Sequence, residues 1–319
     1  MILVLNAGSS SLKIEVFDEG LTSLIAGRVT NLGTTGELRL GTQTKSVETR
    51  DHADALTLML EALAQAGYPL SRFAAAAHRI VHGGAVLTAP ARLRPPVLAT
   101  IESVIPLAPL HNPNNLASVY ALQEQAPDLP QYCSFGTAFH ATNPEVATRY
   151  AIPQTHHDAG IRRYGFHGLS YEYVTGRLYQ LSPELAGGRV VVAHLGSGCS
   201  MTAVRDGKSL DTSMSFSVLD GLPMGTRCGS LDPGVLLYLL REEGMDPQRL
   251  ENLLYRQSGL LGLSGVSNDL RRLHVSQDPR AGQAIDYFVY RIGQTLGALA
   301  ASLGGLDALV FTAGVGEND

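Results

Sequence analysis

The sequence predicts a duplicated α/β fold that binds a polyphosphate, and the first observation is a loop motif that occurs twice. Residues 2–18 read ILVLNAGSSSLKIEVFD, and residues 190–206 read VVVAHLGSGCSMTAVRD. Each copy has an apolar β-branched run, a loop of small residues and an alternating run, which is the pattern of strand, tight turn and strand. Gly and Ser loops expose backbone N–H groups and let a phosphate approach closely. The pair therefore predicts two related domains around a nucleotide cleft.

The alternative interpretation is two ordinary hairpins that happen to contain glycine. A single copy would favour this alternative, whereas two copies in the two halves of the chain favour a duplicated fold. The phosphate-binding motif GxxxxGK[ST] does not occur in the chain, so neither loop is a Walker A motif.

Length and composition support two globular domains. The 319 residues are 45% hydrophobic and 17% charged, which is ordinary for a protein with buried cores. The net charge of −5 and the lack of a basic run argue against nucleic acid as a partner. No apolar run reaches the length of about 18 residues that a membrane span needs, and MILVLNAG is typical of a buried strand. The three cysteines form no CxxC pair, so we expect free thiols in a reducing cytoplasm and no structural zinc.

The pattern along the chain supports alternating strands and helices. Residues 1–50 predict a β-meander, residues 54–66 a helix, and residues 73–84 and 131–140 buried strands that enter loops. The irregular sequence near residue 150 suggests a boundary between domains 1–150 and 151–319. Residues 233–257 and 279–303 predict helices, and LDALVFTAGVGEND predicts a strand that enters a Gly-rich turn. The sequence stops directly after that turn, where covering elements would normally follow.

Five basic side chains stand in loops or at strand ends, where α/β proteins place ligand-binding groups. They are Arg79, Arg227, His111, His167 and His194. Arginine suits phosphates and carboxylates because its planar fork binds two oxygens at once. Phosphoryl transfer needs such donors around the transferred group. Each residue alone is more often structural, and the shared setting is what favours a site.

The order of motifs resembles the acetate kinase family, within the acetate and sugar kinase/Hsp70/actin superfamily. The matching stretches include LNAGSSSLK, HRIVHGG, PLAPLHNPNNL, GIRRYGFHG, HLGSG, MGTRCGSLDPG and FTAGVGEN, in family order along nearly the whole chain. This resemblance implies a duplicated actin-like (ribonuclease H-like) ATPase fold and the reaction ATP + acetate ⇌ ADP + acetyl phosphate. It also implies Mg²⁺, direct in-line transfer and a homodimer.

The resemblance also implies roles for individual residues. Asn6 would place the metal, Arg79 would bind the carboxylate, and His167 and Arg227, with His111 nearby, would stabilise the transferring phosphoryl group. Val81, Leu110 and Phe166 would form the wall of an acyl pocket. The nucleotide would contact the phosphate loop (His194, Leu195, Gly196, Ser197, Gly198), the segment Asp269, Leu270 and Arg271, and the final turn (Gly314, Val315, Gly316, Glu317, Asn318).

The chain departs from the family pattern at several positions. The family motif FDTAFH has a catalytic aspartate where this chain has Gly136, and a single catalytic group contributes about 10²–10⁴-fold. Ser197, Val218 and Tyr171 replace a usual Asn, Pro and His, and Cys228–Gly229–Ser230 replaces SGD. Family members also continue past the final turn, so the sequence resembles a C-terminally truncated member. The alternatives are a catalytically impaired nucleotide-binding paralogue or fragment, a propionate or butyrate kinase and, with less support, a sugar kinase of the superfamily.

Overall fold

The computed structural model describes residues 1–319, which form two units, Met1–Ala138 (unit 1) and Phe139–Asp319 (unit 2). The predicted boundary near residue 150 falls inside unit 2. The backbone N–H of Arg163 donates to the Thr148 carbonyl at 2.8 Å, and that of Phe216 donates to the Tyr150 hydroxyl at 3.1 Å. These bonds attach the segment before residue 150 to unit 2.

Unit 1 is a mixed sheet with three helices. Its strands are β1 Ile2–Ala7, β2 Ser11–Phe17, β3 Ser23–Thr30, β4 Thr35–Leu40, β5 Gln43–Glu48, β6 Ala75–Ile80, β7 Ala91–Arg92 and β8 Gln131–Phe135. Its helices are α1 His52–Gln65, α2 Pro95–Ser103 and α3 Asn112–Gln125, with 3₁₀ turns at Leu70–Arg72 and Ile105–Leu107. The sheet order is β5-β4-β3-β2-β1-β6-β8-β7. The predicted meander, first helix and two buried strands are all confirmed.

Amphipathic patterns explain why these elements form. Along β1 every second residue is buried, so Leu3, Leu5 and Ala7 point into one core. Helix α1 begins at Asp51, whose carboxylate accepts the backbone N–H groups of residues 53 and 54. The same helix packs Met59 and its other apolar residues against this core.

Unit 2 is a smaller sheet surrounded by helices. Its strands are β9 Arg189–Leu195, β10 Cys199–Arg205, β11 Lys208–Thr212 and β12 Ala308–Thr312, in the order β11-β10-β9-β12. Its helices are α4 Glu145–Thr148, α5 Gln154–Asp158, α6 Gly168–Leu181, α7 Pro183–Ala186, α8 Pro233–Arg241, α9 Pro247–Arg256, α10 Gly259–Ser264, α11 Leu270–His274, α12 Pro279–Leu303 and α13 Ala313–Asn318. A 3₁₀ turn at Ala138–Thr142 leads into the unit. None of the helices is both long and apolar enough to cross a membrane.

Two predictions about unit 2 were wrong in detail. The helix predicted over 233–257 is two helices, because Gly244 takes a positive φ of 64° and the Asp246 carboxylate caps a new helix. The Gly-rich turn predicted at the end of the chain is helix α13. Its first backbone N–H, from Ala313, donates to the Glu317 carboxylate at 3.1 Å. The helix predicted over 279–303 is confirmed as α12.

The two units repeat one core motif. In unit 1, β1 pairs antiparallel with β2 and parallel with β6. In unit 2, β9 pairs antiparallel with β10 and parallel with β12. The repeated loops connect the antiparallel pairs, as predicted, with Gly8 N–H donating to the Ser11 carbonyl and Gly196 N–H to that of Gly198. The duplicated sequence motif therefore corresponds to a duplicated strand arrangement.

Candidate active site

Two buried asparagines of helix α3 hold the strand ends of the unit 1 half-site. The Asn115 side chain accepts the Val81 N–H at 2.9 Å and donates to the Ala7 carbonyl at 2.8 Å. The Asn112 side chain bonds the N–H and the carbonyl of His82 at 3.1 and 3.0 Å. These amides satisfy backbone groups at the ends of β1 and β6, and thereby fix the loops that follow both strands.

Arg79 is the cation of this half-site. It stands on β6, and its Nη1 donates to the Asn6 side-chain oxygen on the neighbouring β1 at 3.4 Å. Burial lowers the pKa of the Arg79 guanidinium from its usual value, because charge is less favourable away from water. A desolvated guanidinium binds an incoming carboxylate more strongly than one in water does.

The other residues predicted in unit 1 surround the same loops. Val81 is buried and Leu110 is half-buried. His111 precedes α3, its backbone N–H donates to the Ala108 carbonyl, and its carbonyl accepts the N–H of Asn115. Unit 1 thus contains apolar side chains and a cation, the two features that a short carboxylic acid requires.

Gly136 is packed tightly at the end of β8. Its N–H donates to the Ile80 carbonyl at 2.8 Å, and a Cβ built on it would lie 2.8 Å from the Val81 carbonyl oxygen. Real Cβ atoms do not approach a backbone oxygen so closely, so any side chain here requires the backbone to move. A Gly136→Asp substitution therefore changes the local backbone as well as adding a carboxylate.

In unit 2, His167 has a strained backbone and a fixed side chain. It precedes α6 with φ 58° and ψ 18°, a left-handed conformation that is uncommon for residues other than glycine. Its Nδ1 lies 2.8 Å from the Ser200 hydroxyl on β10. Its ring stacks on that of His194 with centroids 4.2 Å apart, and the Ser170 hydroxyl lies 2.9 Å from His194 Nδ1. Strain of this kind persists where the surrounding structure enforces it and is frequent at functional sites.

The phosphate loop of unit 2 has two donors against its second glycine. A Cβ on Gly198 would lie 2.6 Å from Arg227 Nη2 and 3.4 Å from His167 Nε2. The other guanidinium nitrogen, Arg227 Nη1, donates to the Val218 carbonyl at 2.8 Å. Burial lowers the pKa of Arg227 from its usual value, and the adjacent buried Cys199 partly offsets that effect. The loop therefore brings a half-buried cation and an imidazole nitrogen to one point beside Gly198.

Phe166 lies beside this cluster. Its side chain is buried, and its carbonyl lies 2.9 Å from Nε2 of the buried His140. Burial lowers the pKa of His140 to about 4, so this imidazole is neutral at pH 7 and its N–H donates to the carbonyl.

A cavity of about 790 Å³ lies beside the phosphate loop within unit 2, and this volume is within the range of small-molecule sites. It is lined by Gly196, Ser197, Leu260, Asn268, Asp269, Leu270, Arg271, His274, Phe288, Gly314, Val315, Asn318 and Asp319. Eight of the predicted nucleotide contacts are in this set. Arg271 pairs with the Asp269 carboxylate at 2.6 Å, which lowers the pKa of Asp269.

Five predicted nucleotide contacts do not line that cavity. His194 stacks on His167, and Gly198 lies against Arg227 and His167. The Leu195 side chain is buried. Gly316 lines a smaller neighbouring cavity of about 230 Å³. The Glu317 carboxylate accepts the backbone N–H of Ala313, at the start of its own helix.

The residues do not form a protein-held magnesium site. Mg²⁺ prefers oxygen ligands that include one or two carboxylates. Asn6 offers only a neutral oxygen, Gly136 offers no side chain, and no group of three or more His, Cys, Asp or Glu is placed to bind a metal. With these donors a magnesium ion would have to be bound mainly by nucleotide phosphates and water.

The residues that hold the basic side chains and their loops in place were not predicted from the sequence. Asn112, Asn115, Ser200 and Ser170 are small polar residues that carry no catalytic signature of their own. The run HNPNN opens helix α3, and two of its amides are buried and bonded on both sides. Buried asparagine in an apolar helix is the signal that could have found them.

Comparison with known proteins agrees with this geometry. The Acetokinase family matches residues 1–319. The acetate kinase of Nitrobacter hamburgensis is 50% identical over 328 residues, which cover 99% of this chain and 81% of the relative. The acetate kinase of Methylocella silvestris is 48% identical and is covered to 83%.

Two solved structures share the fold. The crystal structure of Porphyromonas gingivalis acetate kinase superposes with a TM-score of 0.90 at 40% identity, covering 99% of this chain and 84% of that one. A propionate kinase from Francisella tularensis gives a TM-score of 0.94 at 38% identity, with the same coverage. The predicted duplicated actin-like fold class is therefore confirmed. With the repeated phosphate loop, the desolvated arginines and the full-length family match in agreement, this chain belongs to the acetokinase family.

Proposed function

We propose that this chain is a carboxylate kinase that transfers the terminal phosphoryl group of ATP to acetate. The observation that carries the proposal is the convergence of Arg227 Nη2 and His167 Nε2 on Gly198 in the repeated loop. Two donors over a glycine backbone suit three phosphoryl oxygens, and this stabilisation is the main demand of phosphoryl transfer.

In the proposed step, a carboxylate oxygen attacks the terminal phosphorus atom and the bond to the bridging oxygen breaks, which releases ADP. Arg79 binds the carboxylate, and Val81, Leu110 and Phe166 contact the acyl group. His167 and Arg227 donate to the phosphoryl oxygens as charge develops, and His111 is proposed to assist them. Mg²⁺, when bound with the nucleotide, neutralises phosphate charge. The side-chain oxygen of Asn6 is the proposed protein group that places this metal.

The nucleotide is proposed to occupy the cavity of about 790 Å³ beside the loop. His194, Leu195, Gly196, Ser197 and Gly198 would contact its phosphates. Asp269, Leu270, Arg271 and the helix from Gly314 through Val315, Gly316 and Glu317 to Asn318 would contact the adenosine. We also propose a cytoplasmic homodimer, supported by family membership and by three cysteines that are all free. Light scattering on the purified chain measures the dimer.

The test is acyl phosphate formation from ATP, Mg²⁺ and a series of carboxylates, trapped as hydroxamate with hydroxylamine. Acetate is expected to give product, and propionate and butyrate measure the acyl pocket, since one methylene changes discrimination by about 1–3 kcal/mol. A folded sample that forms no hydroxamate with any carboxylate would contradict the proposal.

A second candidate function is nucleotide binding without turnover. Gly136 favours it, because this position supplies no carboxylate and its backbone is closed against Val81. Calorimetry separates the two candidates, since a binding protein would titrate with ATP while forming no hydroxamate.

A further inference from the structure

The side chains of Tyr171 and Ser200 form a chain of hydroxyl contacts that leads to His167. Neither residue has a role in the proposed reaction. The Ser200 hydroxyl lies 2.8 Å from His167 Nδ1, and the Tyr171 hydroxyl lies 2.5 Å from the same Ser200 oxygen. Tyr171 stands one helical turn after His167 on α6, and both Tyr171 and Ser200 are fully buried. The chain of contacts therefore runs from Tyr171 through Ser200 to His167.

Burial sets the protonation state of the tyrosine in this chain of contacts. Burial raises the pKa of the Tyr171 phenol well above its usual value, so this group keeps its proton at all working pH values. A protonated phenol that donates to Ser200 makes that hydroxyl an acceptor for tyrosine, and the serine proton then points to His167 Nδ1. In that arrangement Nδ1 accepts the serine proton, and a neutral imidazole then carries its N–H on Nε2.

Nε2 is the nitrogen directed at the phosphate loop, 3.4 Å from the place a Gly198 Cβ would occupy. We propose that Tyr171 and Ser200 are positioning residues that hold His167 in the tautomer with its proton on Nε2, so that it donates to the transferred phosphoryl group. The inference rests on the proposed function for its purpose, but the tautomer itself is a property of the free protein.

The backbone supports the same conclusion. His167 holds a left-handed conformation that is unfavourable for residues other than glycine, and its carbonyl accepts the N–H groups of Ser170 and Tyr171 in the first turn of α6. The stacked His194 fixes the plane of the ring at an interplanar angle of 21°. Backbone, stacking and hydroxyl chain together fix the position of the ring, and the hydroxyl chain acts on its Nδ1.

The deciding experiment is ¹⁵N NMR of histidine-labelled full-length chain, with the His167 signals assigned by their loss in His167→Gln. In the unsubstituted protein we expect Nδ1 to resonate as an unprotonated nitrogen and Nε2 as a protonated one. Tyr171→Phe removes one hydroxyl while keeping the buried ring, and is expected to give a mixture of both tautomers. Tyr164→Phe is the matched control, because it removes another buried tyrosine hydroxyl, one that donates to the Gly160 carbonyl.

Kinetics supply a second readout. Tyr171→Phe is expected to lower kcat about tenfold, the equivalent of one hydrogen bond, with the KM values for ATP and carboxylate unchanged. Tyr171→His, which restores a donor, is expected to recover most of that loss. Thermal unfolding confirms that each variant is folded.

The outcomes separate the two proposals. A proton on Nδ1 in the unsubstituted chain, or an unchanged tautomer in Tyr171→Phe, overturns the inference whatever the activity. An absence of hydroxamate together with the expected tautomer overturns the proposed function and leaves the inference standing.

Discussion

The two copies of the repeated loop share a backbone frame and carry different chemistry. In unit 1, strand β1 places Asn6 beside Arg79, and the loop that follows has the His52 ring 2.6 Å from the Gly8 carbonyl. In unit 2, strand β9 places His194 at the corresponding position, stacked on His167, and the loop has Arg227 against Gly198. One loop is thus bonded to an imidazole on its carbonyl side, whereas the other is approached by cationic and imidazole donors.

Duplication therefore fixes strand order and loop length but not the contacts of the loop. A carbonyl oxygen accepts hydrogen bonds and cannot bond a phosphate, whereas an arginine and an imidazole nitrogen beside a glycine suit an anion. The proposed function therefore implies a division of labour, in which unit 1 would bind the carboxylate and unit 2 would stabilise the phosphoryl group.

The largest expected effect is in unit 2. Arg227→Ala is expected to lower kcat by about 10³-fold or more, because an arginine on the transferred group is commonly worth that much. Initial rates of hydroxamate formation measure it. Arg291→Ala removes an exposed arginine of α12 and is the matched control. A loss below tenfold in Arg227→Ala would remove the phosphoryl role from unit 2.

The corresponding change in unit 1 should appear in substrate binding. Arg79→Ala is expected to raise the KM for acetate by about 10–100-fold, since a charge-assisted hydrogen bond contributes about 1.5–3 kcal/mol. Saturation curves for acetate and for ATP measure the two substrates separately. Arg79→Lys keeps the charge without the planar fork. Its KM for acetate should lie between that of the unsubstituted chain and that of Arg79→Ala. An effect confined to the KM for ATP would contradict the assignment.

Buried histidines in both units predict how stability depends on pH. Burial lowers the pKa values of His78, His82 and His140 to about 4, from an ordinary 6.5. Between pH 4 and pH 6.5 the unfolded chain therefore binds more protons than the folded chain does. The contribution of these histidines to the free energy of unfolding is complete above pH 6.5 and is lost as the pH falls toward 4. The slope approaches about 1.4 kcal/mol per pH unit for each histidine.

Urea unfolding between pH 4 and 8 measures this slope. His140→Gln should make it shallower, whereas the same substitution at the exposed His156 should leave it unchanged. Equal slopes in the two variants would refute the assignment of the pH dependence to buried rings.

The smallest expected effect concerns glycines. Gly136→Ala in unit 1 should lower the free energy of unfolding by about 1–3 kcal/mol, because its Cβ would meet the Val81 carbonyl. Gly282→Ala, in the open interior of α12, meets no atom within 4 Å and should raise it by up to about 1 kcal/mol. Denaturant titration of both variants compares them. Stabilisation by Gly136→Ala would show that this loop has room for a side chain.

The sequence predicted the fold and the basic residues of the candidate site, but not the residues that hold those side chains in place. Repeated runs of β-branched residues identified β1 and β9, because strand patterning is local. The break between helices α8 and α9 at Gly244 was missed, because the apolar periodicity continues across it. Only the positive φ of Gly244 and the cap by Asp246 reveal it. The contacts of Ser200 and Tyr171 with His167 depend on two elements packed side by side, which no local pattern encodes.

The most direct test of the division of labour is ATP formation from ADP and acetyl phosphate by the unsubstituted chain, Arg79→Ala and Arg227→Ala. Each is measured over a range of both substrates. We predict turnover by the unsubstituted chain, a raised KM for acetyl phosphate in Arg79→Ala, and a collapse of kcat in Arg227→Ala. Identical kinetic defects in the two variants, or no ATP from the folded unsubstituted chain, would contradict it.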